Sequence, residues 1–290
     1  MSQTSVSIVM PAYRAEAVIV GAVESVLAQT HADWQLIVVA DDGADYAEVL
    51  GRQGIRDPRI RHLSSGGTGS GASKTRNAGL EAATTAYMAV LDADDRFKPA
   101  KLSAAVAALE ANALVSMAID VTDPAGVSLR QVGAGPDGPL TAGTHKWRNL
   151  SMDSMIAWDR RHVDGRYDPG LPNMNDLDFL LRLFAGTKTS FHIGAPLHDY
   201  VKQPASLSNG TGFTERMIAA KTKIRERLRS GHYGLADADV AGLDAFLEVS
   251  LMAENSYQAA AAARPGLLFE DHIEPLLRAA STSPALGTAG

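Results

Sequence analysis

Short apolar runs and helix-spaced apolar residues take turns along the first half of this chain. Val6-Ser7-Ile8-Val9-Met10 reads as a buried strand ended by Pro11. Ile19, Ala22, Val23, Val26 and Leu27 then fall at helical spacing. Trp34 to Ala40 is a second buried run, ending at Asp41-Asp42-Gly43. Tyr46 to Gln53 reads as helix, and Arg59 to Leu63 as a short peripheral strand. A Gly- and Ser-rich loop, Ser64 to Gly71, leads into a helix over Lys74 to Ala83. Tyr87 to Leu91 is a further buried run, and Lys101 to Asn112 is Ala-rich helix. This βαβα succession predicts an α/β fold with a mainly parallel sheet, helices on its faces and right-handed crossovers.

The rhythm then changes. Residues 120–145 are rich in Gly, Pro, Asp and Thr and read as loops or a hairpin. Met155 to Trp158 looks like another strand. Leu177, Leu180, Leu181 and Phe184 form an i, i+3, i+4, i+7 stripe, which predicts a helix from about Asn175 to Ala185. From Phe213 onward the pattern is helical. Thr214 to Arg229 carries Arg216, Lys221, Lys223, Arg225, Arg227 and Arg229. Two readings of that basic helix stand open: a solvated face, or a surface for acidic membrane lipids or a partner, a second copy of the chain included. Ser281 to Gly290 has the composition of an unstructured tail.

Composition narrows the classes. The chain has 290 residues, 46% of them hydrophobic, enough for one large α/β domain or two smaller ones. It has no cysteine, which excludes disulfides, zinc–thiolate sites and thiol nucleophiles. A net charge of -6 argues against a general nucleic-acid binder. Met1 to Ser5 lacks the basic and apolar regions of a signal peptide. No stretch approaches the roughly 18–20 apolar residues of a membrane span. The expected location is cytoplasmic, with contact at the inner membrane face as a peripheral alternative.

Candidate chemistry lies where the apolar runs stop. Two runs end in acidic groups, Asp41-Asp42 and Asp92-Ala93-Asp94-Asp95. Ionised carboxylates cannot remain in an apolar core, so they mark strand exits. Ligands of open α/β sheets bind at the carboxyl ends of strands. Carboxylates there suit a hard divalent cation and, through it, a phosphorylated ligand. Asp at a strand end is also ordinary turn or cap chemistry; two such ends on neighbouring parallel strands favour a site. Lys74 and Arg76 open the helix after the glycine loop, where free N–H groups and the helix dipole attract phosphate, unless they simply form a solvated first turn. Gly69 to Thr75 resembles a P-loop, but Ser73 replaces the Gly needed before the Lys, and Thr68 replaces the earlier Gly. Asp176 falls in the first turn of the 175–185 helix, off its apolar stripe and after the loop Asp168 to Asn173. It reads as a dipole-favourable first-turn residue or as a general base lining a cleft. Asp178 and Arg182, four apart, read as a structural pair.

Taken in order, these segments resemble the family 2 glycosyltransferases, inverting enzymes of GT-A fold. Val6 to Tyr13 is similar to their opening strand and nucleotide-stacking turn, with Glu16, Ser25, Leu27 and Gln29 also in place. Asp41-Asp42-Gly43, Arg76-Asn77-Ala78-Gly79-Leu80 and Leu91 to Asp95 match three further motifs. Asn175 to Leu183 resembles the helix that bears the catalytic base, and Ser206-Leu207-Ser208 the end of the shared region. Ser73-Lys74-Thr75-Arg76 and the lone Asp176 are similar to a spore-coat branch of the family. The resemblance covers about residues 5 to 208.

The resemblance implies a Rossmann-like GT-A domain with a nucleotide-sugar-binding half at 1–115 and an acceptor-binding and catalytic-base half at 116–210, followed by a helical extension at 211–290. The implied substrates are a nucleotide-diphospho-sugar, with UDP the expected nucleotide, and a saccharide or lipid-linked saccharide acceptor. Pro11, Ala12, Tyr13 and Glu16 would form the nucleotide turn, with Tyr13 stacking on the base. Asp42 or Asp41 would read the base's imino N–H. Lys74 and Arg76 would support the nucleotide, Asp92 beside Ala93 would contact ribose, and Asp94 would bind Mg²⁺ or Mn²⁺. Asp176 would take the proton of the acceptor hydroxyl.

Two departures stand out. The family's Glu before the catalytic Asp is Asn175 here, and its metal-binding His is Gln203, with His198 near enough to substitute. Lys202 could add positive charge at the diphosphate. Trp147, Met155, Trp158 and Asn175 are candidates for the acceptor wall, with buried core as the other role for Trp158. Two other functions fit parts of the pattern: a sugar-phosphate nucleotidyltransferase, from the glycine loop, and a non-catalytic nucleotide-sugar or glycan binder, from Asn175 and Gln203.

Overall fold

The computed structural model describes residues 4–150, 155–202 and 212–281. Its first half is a repeated strand–helix unit: β1 Val6–Ala12, α1 Ile19–Leu27, β2 Trp34–Ala40, α2 Tyr46–Arg52, β3 Ile60–Ser64, α3 Ala72–Ala82 and β4 Tyr87–Val90. β1 pairs in parallel with both β2 and β4, and β2 with β3. Alternate residues of β1 serve opposite faces, because side chains alternate across a strand. Val9 packs with Ile37, Val39 and Val90 in one core, while Ile8 and Met10 join Leu36, Val38 and Leu91 in the other. Pro11 does not end β1; the strand runs through it to Ala12, with Pro11 opposite Val39. Gly79 lets α3 lie flat on this sheet, since a Cβ there would sit 2.3 Å from Val9 Cγ1.

The second half adds β5 Arg96–Phe97, α4 Lys101–Leu109, β6 Leu114–Thr122, β7 Ser128–Val132, β8 Gly138–Leu140, α5 Ala142–Arg148, β9 Ile156–Asp159, α6 Asn175–Phe184 and β10 Ser190–Val201. The sheet order is β3-β2-β1-β4-β9-β6-β10-β5, with β7 on β6 and β8 on β10. The longest ladders are parallel, and β9 runs antiparallel between β4 and β6. Within 120–145 the expected hairpin is present, since the end of β6 pairs antiparallel with β7 across a turn at 123–127; the stretch also holds β8 and the start of α5, which were not expected. All nine residues of β6 are buried, polar ones included. Ser116 bonds His192, and Asp120 bonds Lys98 and Ser128, so distant partners satisfy groups that look like loop residues. β10 is similarly disguised by Gly194 and Pro196, and its register shifts on either side of Pro196.

The C-terminal helices are α7 Phe213–Arg229, α8 Asp237–Ala263 and α9 Phe269–Ser281. They share one core with α6: Leu177, Leu180 and Leu181 cluster with Ile224, Leu228, Phe246 and Leu247. Charges also tie them down. Asp178, 0% exposed, binds Arg182 at 2.8 Å, Arg227 at 2.6 Å and the Tyr233 hydroxyl at 2.6 Å. Arg225 and Arg229 both pair with Asp244, and Lys221 with Glu254. Much of the basic charge of α7 is therefore matched within the chain. Among the described residues, no helix is long and apolar enough to cross a membrane.

Candidate active site

β2, β1 and β4 are parallel, so their carboxyl ends meet at one edge of the sheet. β1 lies between the other two, and the two acidic strand ends flank its exit at Pro11-Ala12-Tyr13 rather than standing on adjacent strands. At this exit Tyr13 is 46% exposed. A cleft of about 390 Å³ opens beside it, lined by Tyr13, Arg14, Glu16, Asp42 and Thr68. Arg14 has positive φ (52°), which turns the chain sharply after Tyr13.

The Asp41-Asp42 pair divides its work. Asp41 is buried, and its carboxylate accepts from the hydroxyls of Ser65 and Ser70 and from the N–H groups of Ser70 and Gly71. The glycine loop thus already wraps an anion of the protein itself, through the N–H groups of Ser70 and Gly71. That takes Asp41 away from reading a base with its carboxylate. Asp42 lines the cleft and accepts from Arg14 N–H, Ala44 N–H and the Tyr46 hydroxyl. Burial pushes its carboxyl up, but these donors outweigh burial and hold it below the usual range.

The turn after β4 carries the second acidic group. Asp95 N–H donates to the Asp92 carbonyl at 3.1 Å and closes the turn. Ala93 and Asp95 point inward, while Asp92 and Asp94 stay partly exposed. Arg76, 6% exposed, reaches from α3 to donate to Asp92 at 2.7 Å. Its other Nη lies 3.4 Å from Asn175 Oδ1, and its guanidinium sits 5.3 Å from the Tyr167 ring centre. Burial disfavours the Arg76 charge, yet Asp92, Tyr167 and Asp176 together raise its pKa. Lys74 is exposed in the first turn of α3. Asp94 is pushed up to about 6, first by burial and then by the Asp92 charge, with Arg76 opposing.

α6 brings the third acid to the same place. Met174, with positive φ (57°), turns the chain into the helix. The buried apolar stripe then leaves Asp176 partly exposed. Asp176 acts electrostatically on Arg76 and Tyr167, as Asp92 does. One guanidinium is therefore shared between the acidic turn and the candidate base.

Several expected site residues lie elsewhere. Asn175 is buried, taking Arg76 on its carbonyl and donating to Ser73 Oγ at 3.1 Å, so it joins α6 to α3 instead of lining an acceptor wall. Trp158 is 0% exposed and packs edge-on to Phe179, inside the core. Met155 is buried with Ile119, Val121 and Val132. Trp147 packs on Phe246 and donates to Gly242 O, which fastens α8. His198 is buried, with one ring nitrogen on Lys101 and the other on Asp95, which removes it as a metal ligand. Gln203 and the Ser206–Ser208 motif lie outside the described residues. Lys202 pairs with Glu270 at 3.4 Å.

Sequence reasoning missed Tyr167, Asn77 and Tyr46. Asn77 exchanges two 2.9 Å hydrogen bonds with the Tyr167 backbone, and the Tyr167 ring stacks on Phe179 at 4.1 Å. No local pattern marks Tyr167. Asn77 could have been singled out as the polar neighbour of Arg76 within its motif.

Among the described residues, no three or more acidic or His side chains are arranged to hold a metal by themselves. That donor set still fits a magnesium-like ion, which is commonly held by one or two carboxylates together with substrate phosphates. Asp94, raised by burial and by the Asp92 charge, would gain from a cation placed beside it.

A family model for glycosyl transferase family 2 matches residues 7–158, more than half of the chain, and the protein belongs to that family. Asp176 lies beyond the matched residues. WcaA of Escherichia coli K12, named for glycosyl transfer in colanic acid biosynthesis, is 27% identical over 61% of this chain and 65% of its own length. WfgD of Escherichia coli, named a UDP-Glc:alpha-D-GlcNAc-diphosphoundecaprenol beta-1,3-glucosyltransferase, is 39% identical over 33% of this chain and 37% of its own. The matches thus span just under two thirds of the first of these relatives and little more than a third of the second. Staphylococcus aureus TarS shares the fold: its complex with UDP-GlcNAc superposes with a TM-score of 0.65 at 15% identity, covering 95% of this chain and 79% of that one.

Proposed function

We propose that the protein is an inverting glycosyltransferase that moves a sugar from a UDP-linked donor to an acceptor hydroxyl in polysaccharide or glycoconjugate synthesis. The observation that carries this reading is the Arg76 guanidinium, buried between the acidic turn and the α6 helix that bears Asp176. It couples a diphosphate-side carboxylate group to a base candidate at one sheet edge. The relatives support the donor class: WfgD is named for UDP-Glc, and TarS was solved with UDP-GlcNAc. WfgD's lipid-diphosphate acceptor makes a lipid-linked saccharide the favoured acceptor class.

On this reading the exposed Tyr13 ring stacks on the base and Asp42 faces the base edge, while Arg76 holds Asp92 toward the ribose. Asp94 would hold Mg²⁺ or Mn²⁺, which supplies positive charge to the leaving diphosphate. Asp176 removes the acceptor hydroxyl proton as that oxygen bonds the anomeric carbon. The bond from that carbon to the diphosphate oxygen breaks on the opposite face, and UDP departs with the electron pair. Inversion follows from that in-line path.

Asp176→Asn keeps the side chain's size and removes its basicity. Transfer should fall by about 10²–10⁴-fold, while calorimetry shows UDP affinity unchanged. Full transfer by the variant would rule out Asp176 as the base. Release of pyrophosphate from UTP and a sugar phosphate would instead favour a nucleotidyltransferase.

A further inference from the structure

Behind the acidic turn lies a chain of ionisable side chains that this chemistry does not use. Asp95, His198 and Lys101 are each no more than 1% exposed, and they come from the turn, the end of β10 and the first residue of α4. Asp95 Oδ1 accepts Val201 N–H at 3.0 Å, and Oδ2 lies 3.1 Å from His198 Nε2. With Nε2 donating to the carboxylate, Nδ1 accepts from Lys101 Nζ at 2.7 Å. Phe97 lies alongside, edge-on to His198 at 5.6 Å, with its ring centre 3.9 Å from Lys101 Nζ.

Stability alone does not explain this choice. All three side chains are buried, and taking ionisable groups out of water costs solvation. Lys101 also stands at a helix N-terminus, where the dipole disfavours a cation. Apolar groups of similar volume often serve stability equally well. What apolar packing does not supply is direction: a satisfied hydrogen-bond chain holds its members at fixed distances and angles. Here the members are the turn that carries Asp92 and Asp94 and the strand end that leads into Lys202.

We propose that Asp95, His198 and Lys101 form a positioning relay, which holds the Asp92–Asp94 turn against the end of β10 and so sets the geometry of the diphosphate end of the donor site. The proposal rests on the donor reading above. None of the three touches substrate; each acts through Asp94 and the β10 exit.

The test measures UDP affinity by calorimetry in Mn²⁺ and in EDTA, for wild type, His198→Gln and Lys101→Met. Each variant should lose at least tenfold of the Mn²⁺-dependent affinity while its affinity in EDTA changes less than threefold. A merely structural defect would lower both together. Hydrogen exchange at the Val201 amide should quicken at least tenfold in the variants, with β1 and β2 amides unchanged. Lys101→Met removes only the far end of the relay, so it carries the test if His198→Gln does not fold. A wild-type Mn²⁺ enhancement that survives in the folded variants overturns the relay and leaves the donor reading standing. Wild type that binds no UDP, or binds it equally in both media, overturns the donor-side reading and the relay with it.

Discussion

Arg76 and Asp92, sixteen residues apart, form a 2.7 Å ion pair whose arginine side chain is only 8% exposed. Arg76→Met would leave Asp92 partly buried without its partner and Asn175 without a donor. Breaking a buried pair in this way costs roughly 3 kcal/mol. Arg76→Lys keeps the charge but loses the fork that spans Asp92 and Asn175, and should fall between wild type and Met. Urea unfolding of the three proteins gives the order directly; equal midpoints would show that the pair contributes nothing.

Asp94 predicts a conflict between stability and ligand binding. Its folded pKa is raised from 3.8 to about 6, so folding favours the protonated form. The stability it contributes is intact below 3.8 and is lost as pH rises through about 6. Asp94→Asn stays neutral throughout, so at pH 8 the metal-free variant should be more stable by about 1–2 kcal/mol, after allowance for solvent screening. At pH 3.5 the two proteins should melt together. The same substitution should remove the effect of Mn²⁺ on UDP binding. A variant less stable than wild type at pH 8 would contradict the assignment of Asp94 as a strained, cation-seeking carboxylate.

Tyr13 separates binding from folding. Its ring is largely free of the core, so Tyr13→Ala should change stability by less than about 0.5 kcal/mol. Loss of stacking on a base should weaken UDP binding by about 1 kcal/mol, roughly fivefold in Kd. Calorimetry beside a thermal melt reads both, and unchanged UDP affinity would move the base elsewhere.

Lys221 and Glu254 pair at 2.6 Å between α7 and α8, and both are buried. Lys221→Met alone leaves an uncompensated carboxylate and should cost about 3–5 kcal/mol. Adding Glu254→Leu should recover most of that loss, because two apolar groups can fill the same space. A double variant as unstable as the single one would mean that the pair provides more than mutual neutralisation.

Local pattern was enough to place the first seven elements, β1 to β4 with α1 to α3, within two residues at each end, as with β2 and α1. Each has its full signature in consecutive residues: continuous apolar runs for buried strands, and helical spacing for the covering helices. The acidic strand ends, the Arg76 motif and Asp176 were legible for the same reason. β6 and β10 were not, since their serine, histidine, aspartate and proline positions make sense only beside one another. Ser116 meets His192 across seventy-six residues.

The sequence by itself determined the order of elements in the first half, the family and the set of charged groups at the sheet edge. The tertiary structure decided which of those groups face outward. Asp41 and Asp42 are neighbours in sequence, yet one carboxylate holds the glycine loop and the other lines the cleft. Asp94 and Asp95 divide in the same way, because Asp95 finds His198 more than a hundred residues away. A side chain's type is written locally. Its burial, and so its charge and its role, depend on partners that only the packed fold brings within hydrogen-bonding distance.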